Sequence, residues 1–274
     1  MSGPAPGARP AEVLVVSPQG IEAQTRLIAE EAPISLEFNG LAYAVMMATP
    51  TDLEDFAVGF ALSEGAVARA DEIRALNLSC GELGWFVRMD IAAERMAPIV
   101  ERARRRVADG GCGLCGVENL EQAMRTPRAA QPDRCAITAD GIFRALSALR
   151  DRQALNAATG AVHAAALCAP DGEIRLLRED VGRHNAFDKL IGAMARLGLG
   201  PDGGFALLSS RCSYELVDKA LNAGIPALVT VSAATTLASS RARAQGLTLV
   251  SLARADAFLV MNDPAGRLGA PPAG

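Results

Sequence analysis

Two cysteines three positions apart, Cys112 and Cys115, lie in the segment Gly-Gly-Cys-Gly-Leu-Cys-Gly at residues 110–116. Thiols at this spacing serve as half of a zinc site, as a redox dithiol or as nucleophiles that carry sulfur. The glycines around them favour a loop with little order and long reach. A mobile, exposed thiol suits a group carrier, so we predict that this pair accepts a group from one partner and delivers it elsewhere.

The alternatives for the pair differ in what else they require. A zinc ribbon needs two more ligands, whereas the remaining cysteines and both histidines stand alone: Cys80, Cys135, Cys168, Cys212, His163 and His184. A thioredoxin-like dithiol needs its first cysteine fixed at a helix N-terminus, which the glycines disfavour. Two loop cysteines without a function are the third alternative. The arginine run at 104–106 precedes the loop. Positive charge near a thiol lowers its pKa and so favours the nucleophilic thiolate.

A second group of polar residues stands at the predicted start of an amphipathic helix, in the segment Glu-Asp-Val-Gly-Arg-His-Asn at 179–185. Helix N-termini offer free backbone N–H groups and a partial positive charge. Arg183, His184 and Asn185 at this position therefore predict an anion-binding site. A capped helix with a solvated polar face is the alternative.

The same arrangement of a strand end followed by polar groups and a helix recurs twice. Ser209, Ser210 and Arg211 follow one predicted strand, and Ser232 to Thr236 follow the next. Arg254 comes just after the last predicted strand. Ligands bind at such strand ends in open α/β sheets, so we predict a ligand that carries phosphate.

The elements that must position these residues form two predicted domains. Asn39-Gly40 predicts a β hairpin, and Thr51 with Glu54 matches a capping box before an apolar helix. From about 135 to 262, helix and strand patterns alternate, which indicates an α/β layer structure. We predict helices at 141–153, 184–197, 213–222 and 235–245, and strands at 83–92, 205–209, 225–231 and 247–252.

The predicted class is α/β (α+β overall), with a smaller N-terminal β-rich domain and a C-terminal α/β domain. The expected division is a flexible segment 1–25, an N-terminal β/α domain 26–108, a mobile CxxC loop and linker 109–132, a C-terminal cofactor-binding domain 133–262 and a flexible tail 263–274.

Composition narrows the function classes. The chain has 274 residues, 50% of them hydrophobic, and a formal net charge of −4, so no global charge attracts nucleic acid or anionic lipid. No apolar run approaches the length of a membrane span, and the N-terminal residues lack a signal-peptide pattern. We therefore expect a cytoplasmic protein without nucleic-acid or membrane partners.

Taken in order, several segments resemble the formate dehydrogenase accessory sulfurtransferase family (FdhD/NarQ). The segment Glu-Asp-Val-Gly-Arg-His-Asn-Ala-Phe-Asp-Lys at 179–189 is the most specific of them. The others are at 46–65, 112–116, 162–167, 210–233 and 246–254. The resemblance covers roughly residues 30–262 and implies a cytidine deaminase-like, three-layer second domain, although the zinc deaminase signature is missing.

The resemblance implies a sulfurtransferase. Such a carrier takes sulfane sulfur from a cysteine desulfurase as a cysteine persulfide and passes it to the molybdenum bis(molybdopterin guanine dinucleotide) cofactor of formate dehydrogenase. By this resemblance, Cys112 is the residue that carries the persulfide, and Cys115 is its partner. The cofactor-binding strip falls on Leu252, Ala253, Arg254, Ala255, Asp256 and Ala257.

The resemblance also implies a homodimer and a partnership with the catalytic subunit of formate dehydrogenase. A guanine nucleotide such as GDP is expected to fit the cofactor site, and no metal is expected. The chain departs from the family pattern at Ala161, Ser210, Ala234 and Leu252, where a Cβ is expected to crowd the ligand at Ala161 or Ser210. The alternative function is a chaperone that holds the cofactor for insertion without transferring sulfur, and a zinc-dependent hydrolase is a third.

Overall fold

The computed structural model describes residues 6–107 and 127–269. Near its N-terminus, β1 (Ala8–Ser17) and β2 (Gly20–Ala29) pair antiparallel along their whole length. We call this two-stranded sheet the ribbon. The prediction of a flexible segment at 1–25 is wrong for residues 8–25, because cross-strand hydrogen bonds order a stretch whose composition had suggested a mobile arm.

The N-terminal domain contains a four-stranded sheet with the strand order β4-β3-β6-β5. Its strands are β3 (Ala32–Phe38), β4 (Leu41–Ala48), β5 (Ala75–Gly81) and β6 (Gly84–Asp90). Asn39 and Gly40 both have positive φ, at 48° and 78°, as a tight hairpin turn requires. The predicted hairpin and the predicted strand at 83–92 are confirmed.

One face of this sheet packs against α1 (Leu53–Ser63) and α2 (Met96–Val107). The predicted helix after residue 52 is confirmed, but the capping box is not formed. Asp52 is the N-cap in a left-handed conformation and makes no side-chain cap hydrogen bond. Glu54 instead forms an ion pair with Arg196, because a long-range cation competes with the local backbone donor.

The C-terminal domain contains a six-stranded sheet in the order β12-β11-β10-β9-β7-β8. Strands β9, β10 and β11 are parallel, whereas β7 runs antiparallel to both β8 and β9. Strand β8 therefore runs in the same direction as β9, β10 and β11. The strands are β7 (His163–Cys168), β8 (Ile174–Asp180), β9 (Phe205–Leu208), β10 (Ala227–Thr230), β11 (Thr248–Ser251) and β12 (Leu259–Asn262).

Helices cover both faces of this sheet. One face packs on α3 (Ala139–Arg152), and the other packs on α5 (Arg183–Leu197), α6 (Tyr214–Asn222) and α7 (Thr236–Gln245). The short α4 (Ala154–Thr159) supports the base of the ribbon. The predicted three-layer α/β class is confirmed, and the likeness to the cytidine deaminase-like fold stays a prediction.

The two domains meet where α1 crosses α5. A Cβ added at Gly59 would collide with the Asp188 carbonyl, and one at Gly192 would collide with the Asp55 carbonyl. The two helix backbones are therefore in direct contact, which only glycine permits at these positions. Arg178 and Arg196 both pair with the buried Asp55 carboxylate beside this crossing.

The predicted tail at 263–274 is described only as far as residue 269. Strand β12, which precedes it, was not predicted, and it adds an antiparallel edge to the sheet. No helix among the described residues is long and apolar enough to cross a membrane.

Candidate functional site

The candidate site lies at the edge of the six-stranded sheet where β8, β9, β10 and β11 end. Because these strands share one direction, their carboxyl ends meet on this edge, and α5, α6 and α7 begin there. Strand β7 runs the other way, so its first residue, His163, lies on the same edge. We call this edge the carboxyl edge.

Backbone hydrogen bonds join the loops that follow β9, β10 and β11. The Ser232 amide donates to the Ser210 carbonyl at 3.3 Å, and the Leu252 amide donates to the Ser232 carbonyl at 3.2 Å. The Ser209 hydroxyl accepts from the Ala164 amide at 2.8 Å. The three loops thus form one continuous wall.

The guanidinium groups of three arginines on this edge have no hydrogen-bond or ion-pair partner among the described residues. Arg183 is the first residue of α5, and its Nε is buried without a partner. Arg211 and Arg254 are exposed in the loops after β9 and β11. A buried N–H without an acceptor is costly, so the edge is suited to an external anion that would supply the missing acceptor.

His184 forms a hydrogen-bonded cluster with Ser213 and Glu215 on the carboxyl edge. Its Nε2 lies 3.1 Å from Glu215 Oε2 and 3.4 Å from the Ser213 hydroxyl, which donates to the same carboxylate oxygen at 3.0 Å. The hydrogen bond from His184 is the main reason that the pKa of Glu215 is lowered. Both partners contact the same imidazole nitrogen, so the cluster is not a hydrolase relay, in which they contact opposite nitrogens.

His163 is half-buried on the edge near Arg183. Burial and, secondly, the Arg183 charge lower the pKa of His163, while Asp180 opposes them. The ring therefore stays neutral near pH 7. The sequence treated this histidine as isolated because its neighbours come from β8, α5 and β9, and only the reversed direction of β7 places it here.

Asn185, predicted as a ligand residue, is 3% exposed. Its side-chain amide donates to the Met47 carbonyl at 2.8 Å and to Asp180 at 3.1 Å. Asp180 forms a fully buried ion pair with Lys189, 2.7 Å from Oδ2 to Nζ. These contacts attach the end of β4 to α5, which positions Arg183 and His184.

The carboxylate of Asp180 has four donors in this network. It accepts from the Thr49 amide at 3.0 Å and the Gly182 amide at 2.8 Å, in addition to Asn185 and Lys189. Lys189 also donates to the Thr49 carbonyl at 2.9 Å. Burial lowers the pKa of Lys189, and Asp180 opposes that effect.

Three departures from the family pattern lie on this edge or beside it. Ser210 is 3% exposed, and its hydroxyl donates to the Arg211 carbonyl at 3.0 Å, so this side chain lies inside the turn. Ala161 is exposed before β7. Leu252 has a positive φ of 49°, and the predicted strip after it is mostly exposed: Arg254, Ala255, Asp256 and Ala257.

A pair that the sequence did not indicate lies between α6 and α7. Arg241 Nε is 3.2 Å from Asp218 Oδ1, yet that oxygen and Arg241 Nη2 are buried without a hydrogen bond. Burial raises the pKa of Asp218 to about 6, against the opposing charge of Arg241. The sequence gives no sign of this pair because neither helix pattern shows that the two helices face each other.

The predicted sulfur-accepting cysteines, Cys112 and Cys115, lie outside the described residues. Among the described thiols, Cys135, Cys168 and Cys212 are buried and Cys80 is exposed. Burial raises the pKa of both Cys168 and Cys212 to about 12. Since the thiolate is the nucleophile, these two thiols are unsuited to sulfur transfer.

The profile of the FdhD/NarQ family matches residues 29–267. The chain belongs to this family. Among its FdhD/NarQ relatives, proteins named sulfur carrier protein FdhD from Bordetella parapertussis and Xanthomonas euvesicatoria are 47% and 45% identical over 231 and 238 residues. These alignments cover 84% and 87% of this chain and 83% and 84% of the relatives.

The FdhD/NarQ fold is also seen in a crystal structure from Desulfotalea psychrophila, described as a formate dehydrogenase accessory protein. It superposes with a TM-score of 0.73 at 24% identity, covering 94% of this chain and 98% of the other. That agreement supports the fold, and the family assignment rests on the sequence matches.

Proposed function

We propose that this FdhD/NarQ chain is a sulfur carrier that serves formate dehydrogenase maturation. Its relatives are named as sulfur carriers, and the observation that carries the proposal in this structure is the buried, unpartnered Arg183 Nε on the carboxyl edge. A carrier that delivers sulfur to a nucleotide-bearing cofactor needs an anion site of this kind, and Arg211 and Arg254 extend it.

In the proposed reaction, Cys112 accepts sulfur from the persulfide of a cysteine desulfurase. The Cys112 thiolate attacks the terminal sulfur, the sulfur–sulfur bond of the donor breaks, and the donor cysteine leaves as a thiolate. Cys112 then holds a persulfide. If the Cys115 thiolate attacks the Cys112 sulfur, hydrosulfide leaves and a Cys112–Cys115 disulfide remains.

The proposed recipient is the molybdenum bis(molybdopterin guanine dinucleotide) cofactor, held as a substrate at the carboxyl edge. Its pyrophosphates suit Arg183, Arg211 and Arg254, because a guanidinium binds phosphate oxygens in bidentate geometry. Ser209 and the α5 N-terminus offer further polar groups. The strip from Leu252 to Ala257 forms the neighbouring wall. GDP carries the same guanine and two phosphates and serves as a probe.

The partners proposed for this function are a cysteine desulfurase and the catalytic subunit of formate dehydrogenase, in the cytoplasm. The alternative is a chaperone that holds the cofactor without transferring sulfur. Both functions require the carboxyl edge, but only the first requires Cys112, so cysteine variants separate them.

Mass spectrometry of the intact protein tests sulfur transfer. After incubation with a cysteine desulfurase, cysteine and pyridoxal phosphate, we expect wild type to gain the mass of one sulfur atom, reversed by reductant. Cys112→Ala should show no gain, because the accepting thiolate is lost. Cys80→Ala is the matched control: it removes an exposed thiol and should load as wild type does.

Two results would count against sulfur transfer through Cys112. One is a reversible gain that persists in Cys112→Ala and disappears in Cys80→Ala. The other is no gain in any variant while the desulfurase is active on a known acceptor, which would favour the cofactor-holding chaperone.

Calorimetric titration with GDP tests the carboxyl edge. Arg183→Met and Arg211→Met should each weaken GDP binding roughly 10- to 100-fold, the range expected when one charge-assisted hydrogen bond is lost. Arg175→Met is the matched control, because Arg175 lies near the opposite end of β8 and pairs with Asp202. Equal GDP affinity in all four proteins would place the nucleotide elsewhere.

A further inference from the structure

His163 lies on the carboxyl edge and has no role in the proposed site so far. It is the first residue of β7, and it lies directly opposite Asp180, the last residue of β8. Side chains of directly opposed residues in an antiparallel pair lie on the same face of a sheet. Asp180 bonds to Lys189 of α5, so the His163 ring also lies on the α5 face, close to the helix N-terminus that carries Arg183.

The backbone next to His163 is fixed, but its ring is open. The Ala164 amide donates to the Ser209 hydroxyl at 2.8 Å, and the Ser209 amide donates to the Ala164 carbonyl at 3.0 Å. Within residues 6–107 and 127–269, the His163 ring has no hydrogen-bond partner, and its nitrogens are not buried. A ring that is positioned by its strand and keeps both nitrogens accessible can bind a ligand.

Charged groups from two elements act on the His163 ring. Burial lowers its pKa most, the charge of Arg183 on α5 lowers it further, and Asp180 on β8 raises it. Glu179 points to the other face of the sheet, where its carboxylate accepts from two amides at the start of α4, at 2.8 and 2.9 Å. On the neighbouring helices, His184 and Glu215 bond to each other. Arg183 is therefore the charge that opposes protonation of His163.

A phosphate bound to Arg183 would reverse this balance. Its negative charge would offset the guanidinium that opposes protonation, while Asp180 would continue to favour the imidazolium. An imidazolium N–H also forms a charge-assisted hydrogen bond to a phosphate oxygen, which is stronger than the bond from a neutral ring. Protonation of His163 and binding of phosphate beside it therefore favour each other by the same factor.

We propose that His163 is a phosphate ligand of the carboxyl edge, and that it takes up a proton from solvent when a nucleotide phosphate binds beside Arg183. This inference rests on the nucleotide site of the proposed function and adds a ligand to it. The nucleotide binds more tightly as the pH falls, because the imidazolium is the form that binds better. As the pH rises, the proton leaves and the added affinity is lost.

NMR of the imidazole groups tests this proton uptake directly. The chain has two histidines, so the variants His163→Gln and His184→Gln assign their signals. In wild type, saturating GDP should raise the pKa of His163 by about one unit or more, which corresponds to a coupling of about 10-fold or more. A pKa of His163 that is the same in the free protein and in the GDP complex would overturn the proposal.

Calorimetric titration with GDP measures the same coupling as an affinity. His163→Gln should weaken GDP binding roughly 3- to 10-fold at pH 6, yet bind within about 2-fold of wild type at pH 8, because only the protonated ring adds a charge-assisted bond. His184→Gln is the matched control: it removes the other imidazole, and GDP should still raise the pKa of His163 in it. An equal loss of affinity at both pH values in His163→Gln would indicate a structural role and overturn the proton linkage.

These measurements separate the role of His163 from the nucleotide site itself. GDP binding to wild type without a change in the pKa of His163 would overturn only the role of His163. A wild type that does not bind GDP would overturn both, because no phosphate would then lie beside the ring. The NMR titration uses wild type, so it does not depend on how well His163→Gln folds, and circular dichroism checks the fold of that variant.

Discussion

Lys189→Met should lower the free energy of unfolding by about 3–5 kcal/mol, the usual cost of leaving one charge of a buried ion pair without its partner. Lys189 and Asp180 are both fully buried, 2.7 Å apart. Loss of the ammonium also removes one of the two donors to the Thr49 carbonyl, which keeps the Thr51 amide at 2.8 Å. Urea unfolding at pH 7 measures the change.

The double variant Asp180→Asn/Lys189→Met should be more stable than Lys189→Met alone, because it removes the uncompensated charge. We expect a coupling of about 1–3 kcal/mol between the two positions. Arg144→Met is the matched control, since Arg144 and Asp171 form a pair that is 62% and 64% exposed, and it should cost less than about 1 kcal/mol. A Lys189→Met protein as stable as this control would show that the pair contributes little.

Gly192→Ala should lower the free energy of unfolding by at least about 2 kcal/mol, although alanine is about 1 kcal/mol better than glycine inside a helix. The added Cβ would collide with the Asp55 carbonyl and so separate α1 from α5. Gly59→Ala should have a similar effect, through the Asp188 carbonyl. Urea unfolding of both variants checks this.

Because both substitutions open the same helix crossing, Gly59→Ala/Gly192→Ala should cost less than the sum of the single variants. Ala195→Gly is the control on α5: Ala195 is exposed and should lose only about 1 kcal/mol of helix propensity. A Gly192→Ala protein more stable than wild type would mean that propensity outweighs the contact and that the helices can separate at little cost.

The secondary structure of the C-terminal domain was predictable because its signals are local. The helix with Phe187 and Leu190 on one face begins and ends near its predicted bounds. Gly198 and Gly246 end their helices with positive φ, at 65° and 72°. The ribbon was missed because its composition resembles a mobile arm, and β12 because its four residues carry little pattern.

The carboxyl edge was predictable in part. Parallel strands bring their carboxyl ends together, so Ser209, Arg211 and Arg254 were expected on one edge. Asn185 was predicted to bind the ligand because it stands next to His184 in the sequence. In the structure its side chain instead bonds to Met47, which is 138 residues away along the chain. Local patterns cannot indicate such a contact.

The sequence by itself determined the family, the periodic elements and the cysteine pair, because these depend on residue type and spacing alone. The tertiary structure decided the roles of Asp180 and Lys189, which form a fully buried ion pair and, through Lys189, bond to the Thr49 carbonyl. It also decided that His163 lies on the carboxyl edge, through the reversed direction of β7. Burial and partner choice depend on contacts between distant segments, and a side chain's chemistry follows from both.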